Sequence, residues 1–339
     1  MALTTLASWW QEWASHDHRH AGRVMLGVAV PGLLLIAAGH PELILYAVLG
    51  SFAGMYGRLE QPAERLRHQF HGAGMVVTGV ALGLAVSHQR AGPAVLILTV
   101  TAFATIGSLV ADRLQLRPGG PFFGIFALGA TATIGPDLVA WWVALAICAG
   151  SATFALWLGI AASGLGTVLH TLRLESPLRR SRFSAGAFTH ACRYALATAT
   201  AGTAGMLLGV DHANWAMTAA AVPLAVVTSG DPPDIPAVLR RARERVSGTL
   251  IGLIVTALVL VPEPSATVLA IVVMVLMFPT ELFMSRRHGV ALGFFTPLIM
   301  IMTELADPAD PLTMLLARGV DTLIGVSAGV AAAVLVRRP

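Results

Sequence analysis

Residues 20–39 read His20-Ala-Gly-Arg23-Val-Met-Leu-Gly-Val-Ala-Val-Pro-Gly-Leu-Leu-Leu-Ile-Ala-Ala-Gly39, and this stretch contains the features that decide the fold. A histidine and an arginine stand at its start, and no charged residue follows before Gly39. A hydrocarbon core of about 30 Å requires roughly 17–25 residues of apolar helix. The stretch therefore predicts a transmembrane helix that begins at a basic end.

The whole chain has the composition of an integral membrane protein. Its 339 residues are 56% hydrophobic and only 12% charged, whereas soluble proteins have about 25% charged residues. Long apolar runs recur as far as Val336, so no large soluble domain is expected. A pI near 9.8 would suggest a nucleic-acid partner in a soluble protein. Here the membrane topology explains the excess of arginine, and we expect no nucleic-acid partner.

The apolar runs predict about twelve transmembrane helices in an all-α integral membrane fold. Residues 1–20 precede the first span, and their Trp9, Trp10 and Trp13 are typical of an interfacial helix at the level of the lipid headgroups. The predicted spans are 21–39, 42–57, 70–88, 92–110, 121–136, 139–168, 189–209, 213–229, 246–261, 265–283, 289–304 and 311–336.

The arginines test this count, because cytoplasmic loops are enriched in basic residues. With the N-terminus inside, every arginine except Arg90 and Arg318 falls at or near the cytoplasmic side. The predicted outer loops carry acidic residues instead, such as Asp137 and Glu263. The pattern predicts a multi-pass protein of the bacterial inner (plasma) membrane with both termini in the cytoplasm.

The two halves of the chain resemble each other. His190-Ala-Cys-Arg193 opens the seventh span 170 residues after His20-Ala-Gly-Arg23 opens the first. Each half has an even number of spans, so two six-helix repeats would run parallel around a pseudo-twofold axis along the membrane normal, with a pathway between them. The alternative is a shared background of Ala, Gly and Leu. The predicted organisation is an N-terminal segment (1–20), a first repeat (21–168), a cytoplasmic linker (169–188) and a second repeat (189–336).

Arg318 and Asp321 are ionisable residues inside the last predicted span. From a helix start near Pro311, a rise of about 1.5 Å per residue places them about 10 Å and 15 Å deep. Their i, i+3 spacing puts them on one helical face, where they could partially neutralise each other. Ionisable residues at this depth indicate a functional site. The alternative is a structural pair that holds one helix to another.

Arg23 and Arg193 enter the membrane at matching positions of the two halves. Two cations beside a central axis would attract an anionic solute from the cytoplasm. Each could instead extend its side chain towards lipid headgroups.

Two further segments offer contacts for a solute. Asn214 and Trp215 begin the eighth span with an amide and a flat aromatic surface, although the tryptophan could equally belong to an interfacial belt. Phe294-Phe295-Thr-Pro297 predicts a broken or kinked eleventh helix that could line a pathway or simply pack.

No enzyme motif is present in the sequence, which has neither a phosphate-binding loop nor a cluster with metal-ligand spacing. Cys148 and Cys192 also lack such spacing. We therefore expect no catalytic residue, no metal and no cofactor.

Two segments of the second half read Arg240-Arg-Ala-Arg-Glu-Arg245-Val-Ser-Gly248-Thr-Leu-Ile-Gly252 and Arg318-Gly-Val-Asp321-Thr-Leu-Ile-Gly325. They resemble the fusaric-acid-resistance-like, or aromatic acid exporter, superfamily. The resemblance is clear over residues 190–338 and fainter over 20–168. It implies export of aromatic and other organic acids, and the plant relatives include malate-transporting anion channels that assemble two six-helix units around a pore.

The resemblance and the residues together predict a secondary exporter of small organic anions, most simply aromatic carboxylates. Arg23, Arg193 and Arg318 would attract the carboxylate, Asn214, Trp215, Phe294 and Phe295 would contact the rest of the solute, and Asp321 would carry a coupling proton. A passive anion channel and a non-transporting membrane scaffold remain alternatives. The expected partners are the organic anion and membrane lipid. A monomer could suffice, because the repeat supplies both halves, but the sequence leaves the oligomeric state open.

Overall fold

The computed structural model describes residues 17–174, 183–208, 213–227 and 232–336, and within these ranges it contains α-helices and 3-10 helices but no strand. The prediction of an all-helical protein is therefore confirmed. The helices are α1 (Asp17–Ala37), α2 (Ile44–Ser51), α3 (Pro62–His88), α4 (Pro93–Leu114), α5 (Phe122–Ala132), α6 (Trp141–Ala161), α7 (Leu165–Leu174), α8 (Ala187–Leu207), α9 (Ala213–Leu224), α10 (Ile235–Leu260), α11 (Ala266–Met284), α12 (His288–Ala306) and α13 (Pro311–Leu335).

Seven helices in the described part of the chain are long and apolar enough to cross a membrane. They are the helices α1, α3, α4, α6, α11, α12 and α13. Such a set of long apolar helices identifies a multi-pass membrane protein.

Three predicted spans contain shorter helices than a bilayer requires. Helices α2, α5 and α9 have 8, 11 and 12 residues, and every residue of α2 and α9 is buried. Backbone outside a helix is tolerated at membrane depth only where protein or water surrounds it. These short helices are therefore enclosed by the longer ones and form the inside of the molecule.

One predicted span is shorter than expected, and the eleventh helix, predicted to be broken or kinked, is not broken. The sixth span does not extend to residue 168, because α6 ends at Ala161 and Gly164 takes a positive φ of 76° before α7 begins. Glycine adopts this backbone conformation readily, which allows the chain to turn. The eleventh helix is not broken, because α12 continues through Pro297. The proline lies over Gly252 of α10, where a side chain would approach its ring.

Several predictions fall partly outside the described residues. Most of the proposed interfacial segment (residues 1–16) and the centre of the proposed linker (175–182) lie there. Within the described part, α7 occupies the start of that linker.

The helix contacts of one half have counterparts in the other. Helix α2 packs on α6 as α9 packs on α13, and α3 packs on α5 as α10 packs on α12. Helix α1 contacts α2 and α6, as α8 contacts α9 and α13. Across the halves, α4 packs on α8 as α11 packs on α1, and α5 contacts α9 as α12 contacts α2.

Glycines bring α13 against α9 at van der Waals distance. A Cβ atom at Gly325 would overlap the carbonyl oxygen of Ala216, and one at Gly329 would overlap that of Ala220. Small residues four apart allow such close approach of membrane helices.

At its start, α13 is capped by Asp310, whose Oδ2 accepts a hydrogen bond of 2.8 Å from the Thr313 backbone N–H. This bond and that from the Thr313 hydroxyl hold the pKa of Asp310 below its usual range.

Candidate functional site

A cavity of about 360 Å³ lies between the two halves of the chain. The first half contributes the segment after α2 and the connection from α4 to α5, and the second half contributes α10, α11 and α12. The arginine-rich segments that line it belong to the predicted cytoplasmic side, so we call it the inner cavity. Its charged and titratable lining residues are Arg58, Glu60, Arg117, Arg241, Arg245, Glu281 and His288.

Two of the inner cavity's arginines pair with acids in the cavity wall. Nη1 of Arg58 lies 3.3 Å from Oε1 of Glu281 and donates a hydrogen bond of 2.8 Å to the Glu281 backbone carbonyl. Nη1 of Arg117 lies 3.0 Å from Oε1 of Glu60. Glu281 is buried and Arg58 is mostly buried, whereas the Arg117 side chain is 76% exposed.

Arg245 differs from these arginines. Its side chain is 1% exposed, and none of its three guanidinium nitrogens has a hydrogen-bond partner among the described residues. His288 lies in the same cavity wall, and both of its ring nitrogens also lack a partner there. A buried cation without an anion or acceptor is costly, because its lost hydration is not replaced. The inner cavity therefore presents unsatisfied hydrogen-bond donors.

Rings from the inner helices close the inner cavity on one side. Phe52 lies at the end of α2, and its ring centroid is 5.9 Å from those of Phe126 and Phe295. Phe126 also lies 5.6 Å from Trp215, the third residue of α9. We call Phe52, Phe126, Trp215 and Phe295 the aromatic cluster. Centroid distances of this size are typical of packed aromatic pairs.

A smaller pocket of about 60 Å³ lies on the other side of the aromatic cluster. Its wall includes Trp215, Arg318 and Asp307, and it belongs to the predicted outer side, so we call it the outer pocket. Phe295 lines the inner cavity and Trp215 lines the outer pocket. The aromatic cluster therefore separates the two spaces.

Arg318 lies on the face of Trp215. Its Cζ atom is 4.1 Å from the centroid of the Trp215 ring, which is a cation–π contact. Arg318 is 2% exposed and Asp321 is fully buried. Although the two are three residues apart, neither the guanidinium nitrogens nor the carboxylate oxygens have a hydrogen-bond partner in the described part of the chain. The two charges are thus neighbours without a hydrogen-bonded ion pair.

The other predicted site residues lie elsewhere. Nη2 of Arg23 is 2.7 Å from Nδ1 of His20, and Nε of Arg193 donates to the Val336 carbonyl at 2.9 Å. Phe294 stacks on Phe283 with ring centroids 6.2 Å apart. Arg23, Arg193 and Phe294 are not among the lining residues of either space.

Asn214 has a buried side-chain amide, and only its nitrogen makes a hydrogen bond. Its Nδ2 donates a hydrogen bond of 3.1 Å to the carbonyl of Gly129, whereas its Oδ1 has no partner among the described residues. The structure thus brings together Trp215, Arg318 and, through Phe126, Phe295. It leaves Arg23, Arg193 and Phe294 apart from them.

Sequence reasoning missed most of the inner cavity. Glu281 is an acid inside an apolar span, and such a residue is itself a signal of function. Arg245 stood within the arginine-rich segment that carried the family resemblance. No sequence signal distinguished Phe52 or Phe126 from ordinary core residues.

Comparison with known proteins adds one finding. Residues 198–332 match a family described as fusaric acid resistance protein-like. No curated protein and no solved structure matches the chain. The matched region includes Trp215, Arg245, Glu281, Phe295 and Arg318, so the second half of the chain, with its share of both spaces, is similar to that family. The resemblance predicted from the arginine-rich segment and the last helix is confirmed.

Proposed function

We propose that this protein is a secondary transporter that exports small aromatic carboxylates through a pathway between two six-helix repeats. The similarity of residues 198–332 to fusaric acid resistance proteins and the long apolar helices support membrane transport as the general activity. The inner cavity supports the choice of an organic anion. An enzymatic role is not proposed.

The matching helix contacts support the arrangement of the repeats. Each of the main contacts within the first half has an equivalent in the second, and the contacts between the halves also come in equivalent pairs. A pseudo-twofold axis relates such pairs, and in repeat-built transporters the solute site lies at the repeat interface. The inner cavity, the aromatic cluster and the outer pocket follow one another along this interface.

Arg245 is the observation that carries the proposal. A carboxylate can accept two parallel hydrogen bonds from one guanidinium, which is the strongest way to satisfy a buried arginine. In the inner cavity, such an anion would supply the acceptors that Arg245 lacks. A neutral or cationic solute would leave the buried charge uncompensated.

The rest of the inner cavity suits an aromatic ring. Phe123, Leu292 and Phe295 line it together with the charged residues. A volume of about 360 Å³ is within the range of roughly 300–1,000 Å³ that is common for small-molecule sites. The solute would bind with its carboxylate on Arg245 and its ring towards the aromatic cluster.

Export requires the aromatic cluster to open towards the outer pocket. There, Arg318 on Trp215 would meet the anion before its release, and Asp321, one helical turn deeper, would carry a coupling proton. An interior-negative potential already favours the exit of an anion by about 2.3 kcal/mol per charge per 100 mV. Proton coupling is therefore an added element that must be tested, and a passive channel is the competing mechanism.

The proposal is tested with purified protein in liposomes that contain radiolabelled benzoate or fusaric acid. We expect saturable efflux that Arg245→Ala abolishes. Arg243→Ala is the matched control, because Arg243 lies on the same helix and is exposed. Flux that stays unsaturated and follows voltage alone would indicate the passive channel. If neither acid leaves these liposomes faster than it leaves protein-free liposomes, the proposed function is wrong and a scaffold role is favoured.

A further inference from the structure

Glu281 is held by two residues of the first half at the boundary between the halves. Its Oε1 lies 2.8 Å from Nε2 of His20 on α1 and 3.3 Å from Nη1 of Arg58, which follows α2. Its Oε2 has no hydrogen-bond partner among the described residues. One acid of the second half thus binds two residues of the first half and also lines the inner cavity.

The protonation state of His20 follows from its contact with Arg23. Nη2 of Arg23 is 2.7 Å from Nδ1 of His20, and a guanidinium can only donate. Nδ1 must therefore accept, and the ring proton lies on Nε2, which donates to Glu281. His20 is neutral in this arrangement, so Arg58 is the cation that balances Glu281 directly.

We infer that Glu281 competes with the transported anion for Arg58. The Glu281 carboxylate pairs with Arg58 when no solute is bound, and the solute's carboxylate replaces it when the solute binds. This inference rests on the proposed function. Arg58 and Glu281 line the inner cavity together with Arg245, so a carboxylate that binds there shares the cavity with them. Like charges in a poorly solvated space repel strongly. The solute therefore takes over the Nη1 donor of Arg58 and displaces the Glu281 carboxylate.

Displacement of the Glu281 carboxylate affects the packing of α1 on α11, because Glu281 on α11 binds His20 on α1. Helix α1, the first of its half, packs on α11 of the other half. The equivalent contact is that of α8, the first helix of the second half, with α4. At the equivalent place, Asp112 accepts hydrogen bonds from Ser184 and lines a different cavity. Glu281 thus connects the inner cavity to the α1–α11 contact, which loosens when the solute binds.

Equilibrium binding of radiolabelled benzoate to the purified, monodisperse protein tests the inference. Glu281→Gln removes the competing charge, so we expect benzoate to bind about tenfold more tightly, as the loss of a hydrogen bond to a charged group implies. Glu263→Gln is the control, because it removes an exposed acid that does not line the inner cavity. For this control, we expect less than about a threefold change. Uncharged benzamide should bind equally to all variants.

A double-mutant cycle separates competition for Arg58 from a general change of charge. In an Arg58→Ala background, the gain from Glu281→Gln must disappear. If Glu281→Gln is unstable, Glu281→Asp provides the same test, because the shorter side chain weakens the contact with Arg58 and should give a smaller gain.

Spin labels follow the helix movement. They are attached at Arg19→Cys and Arg287→Cys in a Cys192→Ser background, at the predicted cytoplasmic ends of α1 and α12, next to α11. Benzoate should lengthen the distance in the wild type, and Glu281→Gln should lengthen it without benzoate.

If the wild type binds benzoate but Glu281→Gln binds it no more tightly, the inference is wrong and the proposed function stands. If the wild type binds neither benzoate nor fusaric acid, both are wrong.

Discussion

The Cζ atom of Arg318 lies 4.1 Å above the ring of Trp215, at the boundary between the aromatic cluster and the outer pocket. Both side chains are buried, and the guanidinium nitrogens of Arg318 have no hydrogen-bond partner in the described chain. The ring and the neighbouring Asp321 side chain thus compensate this cation. Because Trp215 also packs on Phe126, the contact links the charge on α13 to the aromatic cluster.

Replacing Trp215 tests this link. Trp215→Leu should lower the melting temperature and reduce benzoate efflux by about tenfold or more, because a desolvated cation–π contact contributes about 2 kcal/mol. Trp215→Phe retains an aromatic face and should keep most of both properties. Thermal unfolding in detergent and initial efflux rates measure the two effects. Equal losses in the two variants would show that shape, and not the π-face, matters.

Arg245→Lys separates charge from geometry. The lysine keeps the positive charge but loses the planar pair of donors that matches a carboxylate. We expect benzoate binding to weaken by about tenfold. Benzamide binding should be unchanged, and equilibrium binding measures both. Full affinity in Arg245→Lys would mean that the solute is attracted by charge alone.

Phe126→Ala should allow solutes to pass through the aromatic cluster more easily. The ring contacts Phe52, Trp215 and Phe295, so its removal opens a gap between the inner cavity and the outer pocket. We expect faster and less selective efflux, with a loss of stability of about 3–5 kcal/mol. Phe188→Ala is the control, because that ring is 65% exposed. Unchanged selectivity would place the barrier elsewhere.

Gly325→Ala tests the packing of α13 on α9. The added methyl group would meet the Ala216 carbonyl, and we expect a destabilisation of about 1–3 kcal/mol. Gly319→Ala on the same helix has only an ordinary contact, at 3.7 Å from Leu253, and should be tolerated. Chemical denaturation in detergent compares the two. Similar stabilities would mean that α13 can shift without cost.

Asp321→Asn tests proton coupling. If Asp321 carries the coupled proton, the variant should still move benzoate down its gradient but should not respond to an imposed pH gradient. Efflux above that of protein-free liposomes, with and without a pH gradient at constant external pH, gives the answer. A variant that responds like the wild type would remove Asp321 from the coupling step.

Much of the fold was predictable, because apolar length and basic ends are local properties of the sequence. The long helices followed from them directly. The short helix α9 was predicted as a longer span, 213–229, although α9 ends at Leu224. It can be short because all of its residues are enclosed by protein, and enclosure depends on the other helices.

The candidate site was only partly predictable. Arg318 and Trp215 were chosen for their depth and chemistry, but nothing local indicated that they touch. Phe294 and Phe295 were chosen together, yet successive helical residues point in different directions, and only Phe295 reaches the aromatic cluster. The pair of Arg58 and Glu281 spans 223 residues, and no pattern in one sequence reports such a contact.

The aromatic cluster also determines where the membrane voltage acts. In the proposed pathway, water and ions from either side would bring the potential of that side into the inner cavity and the outer pocket. The electric field would then be concentrated across the few rings between them. A solute anion would cross nearly the whole voltage in one short movement past Phe126. Its exit rate should then vary with voltage as though a full elementary charge moved in that step.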